Sequence, residues 1–316
     1  MKQFIEFTAI VGVALSASSC TGSSPESSSE PSLERVEVIP DVTSAYQQGW
    51  LSVRTIGTGP DVILLPGLAS PGQVWDGTVE ALKDQYRFHI ADVAGFAGQP
   101  VASPRAAIVE GLSDDVADYI AAQNLDHPTV VGHSMGGFTS LHIARDHGET
   151  VSSVISVDSL PFYPLIFNPN ATVETSRPMA NQMVAQMRAM PKPDYDAAQA
   201  RSAMILTKGS DAQARIAKWG AASDRESVLA AMSEIMTTDI RPDLSGITVP
   251  MTVIYAHDPL MGIPSGTMDG LYAKAYESTA QLTLERIDGS FHFIMDDQPD
   301  AFVAALSSAL AKNTTD

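Results

Sequence analysis

Within this 316-residue chain, Ser134 stands where nucleophilic chemistry could be built, at the centre of Gly132-His133-Ser134-Met135-Gly136. A serine hydroxyl is a weak nucleophile alone. It needs a base to take its proton and donors to hold the oxyanion it creates. The residues around this Gly-x-Ser-x-Gly pattern give it weight. Pro128-Thr129-Val130-Val131 reads as a strand entering, and 138–146 as a helix leaving. That strand–turn–helix exposes the serine on a strained turn. The two glycines let strand and helix approach closely. The helix N-terminus favours the negative charge that develops beside Ser134.

The elements that must position this turn follow from the apolar pattern. From about Arg35 onward, strand-like and helix-like segments alternate, as in a mostly parallel sheet flanked by helices. Segments 36–39 and 51–55 read as edge strands. The run Val62-Ile63-Leu64-Leu65 before Pro66-Gly67 reads as a buried strand, and 86–91, 129–132, 151–157, 251–256 and 281–287 repeat that form. Helical stretches fall at about 72–83, 104–123, 135–146, 267–276 and 299–312. From about 160 to 243 no strand interrupts several helix-like stretches, which marks an insertion capping the sheet. Met179, Met183, Met187 and Met190 recur there at helical spacing. Such a stripe packs a helix on the body; Met179, Met183 and Met187 are also candidates for lining a substrate pocket with flexible thioethers.

Charge narrows the partners. With 19 Lys+Arg against 37 Asp+Glu the net charge is −18, which repels phosphate backbones and argues against nucleic acid. No His/Cys/Glu cluster has metal-ligand spacing, so no metal or cofactor is expected. The single cysteine, Cys20, excludes an intramolecular disulfide. Residues 1–20 read as a signal peptide: Lys2, an apolar stretch too short to span a bilayer, and Ala17-Ser18-Ser19-Cys20, which looks like a bacterial lipobox. Segment 21–34, rich in Ser, Pro and Glu, reads as a disordered tether. The expectation is an exported domain held to a bacterial membrane through lipidated Cys20, or a periplasmic or secreted one after ordinary cleavage.

From about Val36 to the C-terminus the chain resembles the α/β-hydrolase superfamily. The resemblance implies one domain over 35–316 with the cap inserted at about 160–243. Leu64-Leu65-Pro66-Gly67-Leu68 is similar to the family's oxyanion loop, implying that the backbone N–H groups of Leu68 and Met135 hold the oxyanion. Asp92-Val93-Ala94-Gly95-Phe96 looks like a structural loop after the fourth strand. Of seven histidines, His292 in Asp288-Gly289-Ser290-Phe291-His292-Phe293 lies in a segment similar to the family's last loop, implying the base. Asp258 before Pro259 sits where the family's Asp-Pro loop places the acid; Asp158, at the end of the preceding strand, is its rival.

The implied activity is a serine hydrolase cleaving small carboxylic esters through an acyl-enzyme on Ser134, with His292 as base and Asp258 as acid. The same triad could act on an amide, an N-terminal peptide or a lactone bond. A non-catalytic binding protein on this scaffold is the alternative of another class.

Overall fold

The computed structural model describes residues 45–103 and 107–312. The leader at 1–20 with Cys20, the tether at 21–34 and the strand expected at 36–39 lie outside the described residues.

Eight strands form one sheet: β1 (Ala45–Gln48), β2 (Leu51–Gly57), β3 (Asp61–Leu65), β4 (Arg87–Val93), β5 (Thr129–His133), β6 (Ser153–Val157), β7 (Met251–His257) and β8 (Leu282–Asp288). Their spatial order is β1-β2-β4-β3-β5-β6-β7-β8. β2 pairs antiparallel with both β1 and β4, and the remaining pairings are parallel. Strands β5, β6 and β7 are buried along their whole length, which is why they are rich in Val and Ile and show no regular polar alternation. β8 is half-buried because it closes the edge, and its Glu285 and Arg286 keep that edge polar.

The two-residue period of the strands sorts their side chains into two cores. Ile63, Leu65, Val130, Val154 and Val253 face one side, under α2 (Ile108–Gln123), α3 (Met135–Asp146) and α8 (Ser265–Ala275). Val62, Leu64, Val131, Ile155 and Ile254 face the other, under α1 (Asp76–Leu82) and α10 (Pro299–Lys312). The stretch expected as one helix at 72–83 divides into a 3-10 turn, Gly72–Trp75, and α1. Trp75, wholly buried, packs on Phe302 of α10 with ring centroids 6.1 Å apart.

Between β6 and β7 the chain forms α4 (Val173–Ala189), α5 (Lys192–Leu206), α6 (Ser210–Ala222) and α7 (Arg225–Thr237), after which β7 rejoins the sheet. α4 packs on α7 and α5 on α6, so the cap is two antiparallel helix pairs. Near the α4–α5 turn the pairs are pinned together: the Arg225 guanidinium donates to the Met190 carbonyl at 2.7 Å and lies over the Tyr195 ring at 4.3 Å. One short helix, α9 (Ile294–Asp297), lies between β8 and α10.

Candidate active site

The turn between β5 and α3 holds Ser134 at φ 54°, ψ −116°, outside the ordinary regions for a residue with a side chain. The close packing that forces this turn is visible at its glycines. A Cβ on Gly132 would lie 2.0 Å from the Gly136 carbonyl oxygen, and one on Gly136 would lie 2.4 Å from that of Leu65. The Ser134 amide donates to the Val157 carbonyl at 2.8 Å, tying the turn to the end of β6. Strain of this kind persists only where the surroundings over-determine it.

The loop that resembles an oxyanion loop follows β3. Gly67 comes so near the elbow that a Cβ there would stand 3.2 Å from the Ser134 Cβ. Asp92 fixes the far end of the loop by accepting from the Gly72 amide at 2.7 Å, a structural duty. Leu68 and Met135 both line the cavity in which Ser134 lies. Met135 is the first residue of α3, so its N–H has no intrahelical acceptor and is available to an oxyanion.

His292 lies in the same cavity. Its Nδ1 is 2.6 Å from Oδ2 of Asp158. The other Asp158 oxygen accepts from the Ala256 amide at 2.9 Å and from the Tyr272 hydroxyl at 3.0 Å. Asp158 immediately follows β6 and adopts φ 46°, and its own amide donates to the Ile254 carbonyl at 2.7 Å. Three donors converge on one carboxylate. The neighbouring tyrosines register that charge: burial first, then Asp158, pushes the Tyr272 hydroxyl far above its ordinary pKa and that of Tyr163 up to about 12. With Nδ1–H donated to Asp158, the His292 Nε2 keeps the lone pair that a base requires.

The placement of Asp258 corrects the reading drawn from the sequence. It does not meet His292. One of its oxygens caps the turn Pro259–Met261 by accepting from the Leu260 amide at 2.8 Å, and the other binds the Lys208 ammonium at 2.6 Å. Burial pushes the Asp258 carboxyl up, but the hydrogen bond to Lys208 and the Leu260 amide outweigh it, leaving the pKa below the ordinary carboxylate value. A carboxylate engaged by a cap lysine and a turn amide is not the partner of the imidazole; the rival at the end of β6 is.

His133, the residue before Ser134 in the elbow, touches the candidate base. Its ring is fully buried, its Nε2 donates to the His292 carbonyl at 3.0 Å, and the two ring centroids are 4.6 Å apart. Burial, and then the nearby His292 charge, holds its pKa well below the ordinary value, so it stays neutral and donates through Nε2.

The cavity has a volume of about 540 Å³. Met183 and Met187 of α4 line it, whereas Met179 does not and is 42% exposed. Met179 lies nearer the free end of α4, away from the junction of the two helix pairs. Met232 and Met236 of α7 complete the opposite wall, with Val228 and Ile235. Their spacing of four was a signal as clear as that of Met183 and Met187.

A family model described as the alpha/beta hydrolase fold matches residues 60–299. The pimeloyl-[acyl-carrier protein] methyl ester esterase of Aeromonas hydrophila is 27% identical over 251 residues, covering 75% of this chain and 91% of that protein. The protein of the same name from Nitrosomonas europaea is 25% identical over 227 residues, covering 69% and 84%. A thermophilic esterase from Thermogutta terrifontis superposes with a TM-score of 0.68 at 19% identity, over 84% of this chain and 95% of that one. An enol-lactonase from Burkholderia xenovorans superposes with a TM-score of 0.66 at 21% identity, over 85% and 98%. The matched span runs from the start of β3 to the start of α10 and encloses the serine, aspartate and histidine described above; the chain belongs to the α/β-hydrolase fold family.

Proposed function

We propose that the protein hydrolyses carboxylic esters through an acyl-enzyme on Ser134, with His292 as base and Asp158 as the acid that orients it. The observation that carries this reading is the 2.6 Å contact of His292 Nδ1 with Asp158 in the cavity that holds the strained Ser134. Ser134 Oγ attacks the ester carbonyl as His292 takes its proton at Nε2. The carbonyl π pair moves to oxygen, which the Leu68 and Met135 amides stabilise. Collapse of the tetrahedral intermediate re-forms the carbonyl and expels the alcohol, protonated by His292. Water, deprotonated by the same imidazole, then attacks the acyl-enzyme, and collapse releases the acid and restores Ser134. Asp158 stays ionised throughout and stabilises the imidazolium.

The methionine-rich walls suit an apolar acyl chain. Kinetics on p-nitrophenyl esters from acetate to laurate, beside aminoacyl nitroanilides, test this. Relative kcat/KM is expected to climb from acetate to about octanoate, by at most about fourfold per CH₂, the equivalent of about 0.8 kcal/mol of buried methylene. Turnover of the anilides without the esters would replace the ester reading with an amide one.

Location rests on the N-terminal sequence alone. We propose that Cys20 is lipidated and that 21–34 tethers an exported catalytic domain to a bacterial membrane. Several acyl chains together anchor stably, at about 0.8 kcal/mol per buried CH₂. Labelled palmitate fed to an expressing bacterium is expected to enter the full chain and not Cys20→Ala. Label that persists in the variant, or never enters the full chain, removes the lipid anchor.

A further inference from the structure

The backbone on either side of His292 is held as well as its ring, by groups that lead into the cap. The amide after it, Phe293 N–H, donates to the Leu206 carbonyl at 3.0 Å, at the last residue of α5. The amide before it, Phe291 N–H, donates to Oδ2 of Asp297 at 2.8 Å. The other Asp297 oxygen accepts from the Thr207 hydroxyl at 2.7 Å and the Lys208 amide at 2.9 Å. The Lys208 ammonium reaches past this carboxylate to Asp258 at 2.6 Å and to the Gly289 carbonyl at 3.0 Å. Further into the cap, Arg215 of α6 binds Asp296 at 2.5 Å. Leu206 meanwhile lines the substrate cavity, as do Ala198, Ser202 and Ile205 on the same helix.

We propose that the Leu206–Lys208 turn of the cap, with Asp258 and Asp297, is a clasp that positions His292 whatever acyl chain is bound. Asp258 and Asp297 are positioning residues; neither contacts the imidazole. The inference deepens the proposed hydrolase reading and rests on it for the role of His292. The clasp also explains why the carboxylate after β7 is occupied elsewhere: it anchors the lysine that closes the turn. The side chains divide unequally in exposure, Lys208 at 39% and Asp258 at 5%, so the buried carboxylate is the fixed end and the lysine the part that can release.

Asp297→Asn breaks the clasp with almost no change of shape. A carboxamide offers one acceptor oxygen, whereas Asp297 faces N–H donors on both sides; either orientation turns an NH₂ group against one of them. Lys208→Met removes the ion pair and keeps the aliphatic stem. Both are measured in the full chain on p-nitrophenyl acetate, too short to lie along α5, and on the octanoate. In parallel, a small fluorophosphonate probe reports the labelling rate of Ser134 without any ester.

Both variants are expected to lose on the order of tenfold in kcat on acetate and octanoate alike, and in labelling rate, with KM for acetate unchanged, because misplacement of a reacting group costs rate rather than affinity. Lys208→Arg is expected to restore most of the loss. If instead KM rises on octanoate while acetate turnover and labelling match the wild type, α5 is only a pocket wall and the clasp is wrong. Equal losses in a variant whose thermal transition has collapsed do not count for the clasp; the arginine rescue then decides, since failure to rescue in a folded chain overturns it. A wild type that labels at Ser134 yet cleaves no ester would remove the ester reading alone.

Discussion

Ser134→Ala is expected to lose on the order of 10⁴-fold or more in kcat on any ester the wild type turns over, because no other group can form the acyl-enzyme. The fold should survive. Alanine keeps the Cβ that the turn already accommodates, and the tie that holds the turn is the backbone bond from the residue 134 amide to the Val157 carbonyl at 2.8 Å. The glycines that make room for the turn are untouched. The thermal transition is therefore expected to stay within a few degrees of the wild type, as for a substitution that creates no cavity and buries no polar group. Steady-state kinetics and a thermal melt check the two halves, with a fluorophosphonate control for the site of attachment. Comparable turnover by the alanine variant, or probe attachment elsewhere, would sink the covalent mechanism.

The fold was legible because its central strands are buried on both faces. Runs such as Val62 to Leu65 and Val130 to Val131 can only be core strands, and the switch to helical spacing after Ser134 marks α3. The elbow was legible for the same reason, since its strand and helix announce themselves locally. The acid was not. Asp158 and Asp258 both stand one residue beyond a parallel strand, on neighbouring strands of the sheet. Local sequence does not say which of two strand ends will turn its carboxylate toward a histidine more than thirty residues later. Two distant facts decide it. The backbone of Asp158 enters positive φ beneath Tyr272, and Lys208, fifty residues before Asp258, captures that carboxylate from the cap. The cap was read as helices without knowing which faces would close over the serine. Met179 accordingly fell outside the cavity while Met232 and Met236, at the same spacing on α7, fell inside it.

These two carboxylates give the sharpest comparison. Asp158→Asn is isosteric and keeps an oxygen for the donors that Asp158 receives from Ala256 and Tyr272. Toward His292 it must then present either an NH₂ group, which cannot accept from Nδ1–H, or an oxygen, which leaves the Ala256 amide and the Tyr272 hydroxyl facing a donor. In the first case the imidazole flips its proton to Nε2 and loses the lone pair needed at Ser134. In either case the negative charge that stabilises the imidazolium is gone. Loss of a triad carboxylate in this way costs on the order of 10⁴-fold in kcat with little change in KM. Asp258→Asn removes only the partner of a lysine that is 39% exposed, together with part of a turn cap. Its cost through the clasp is expected to be about tenfold, a thousandfold less than at Asp158. Both variants, assayed on one ester at one pH, decide the matter. If Asp258→Asn proves the more damaging, the orienting acid is the carboxylate after β7 and the 2.6 Å pairing of Asp158 with His292 is not the catalytic one.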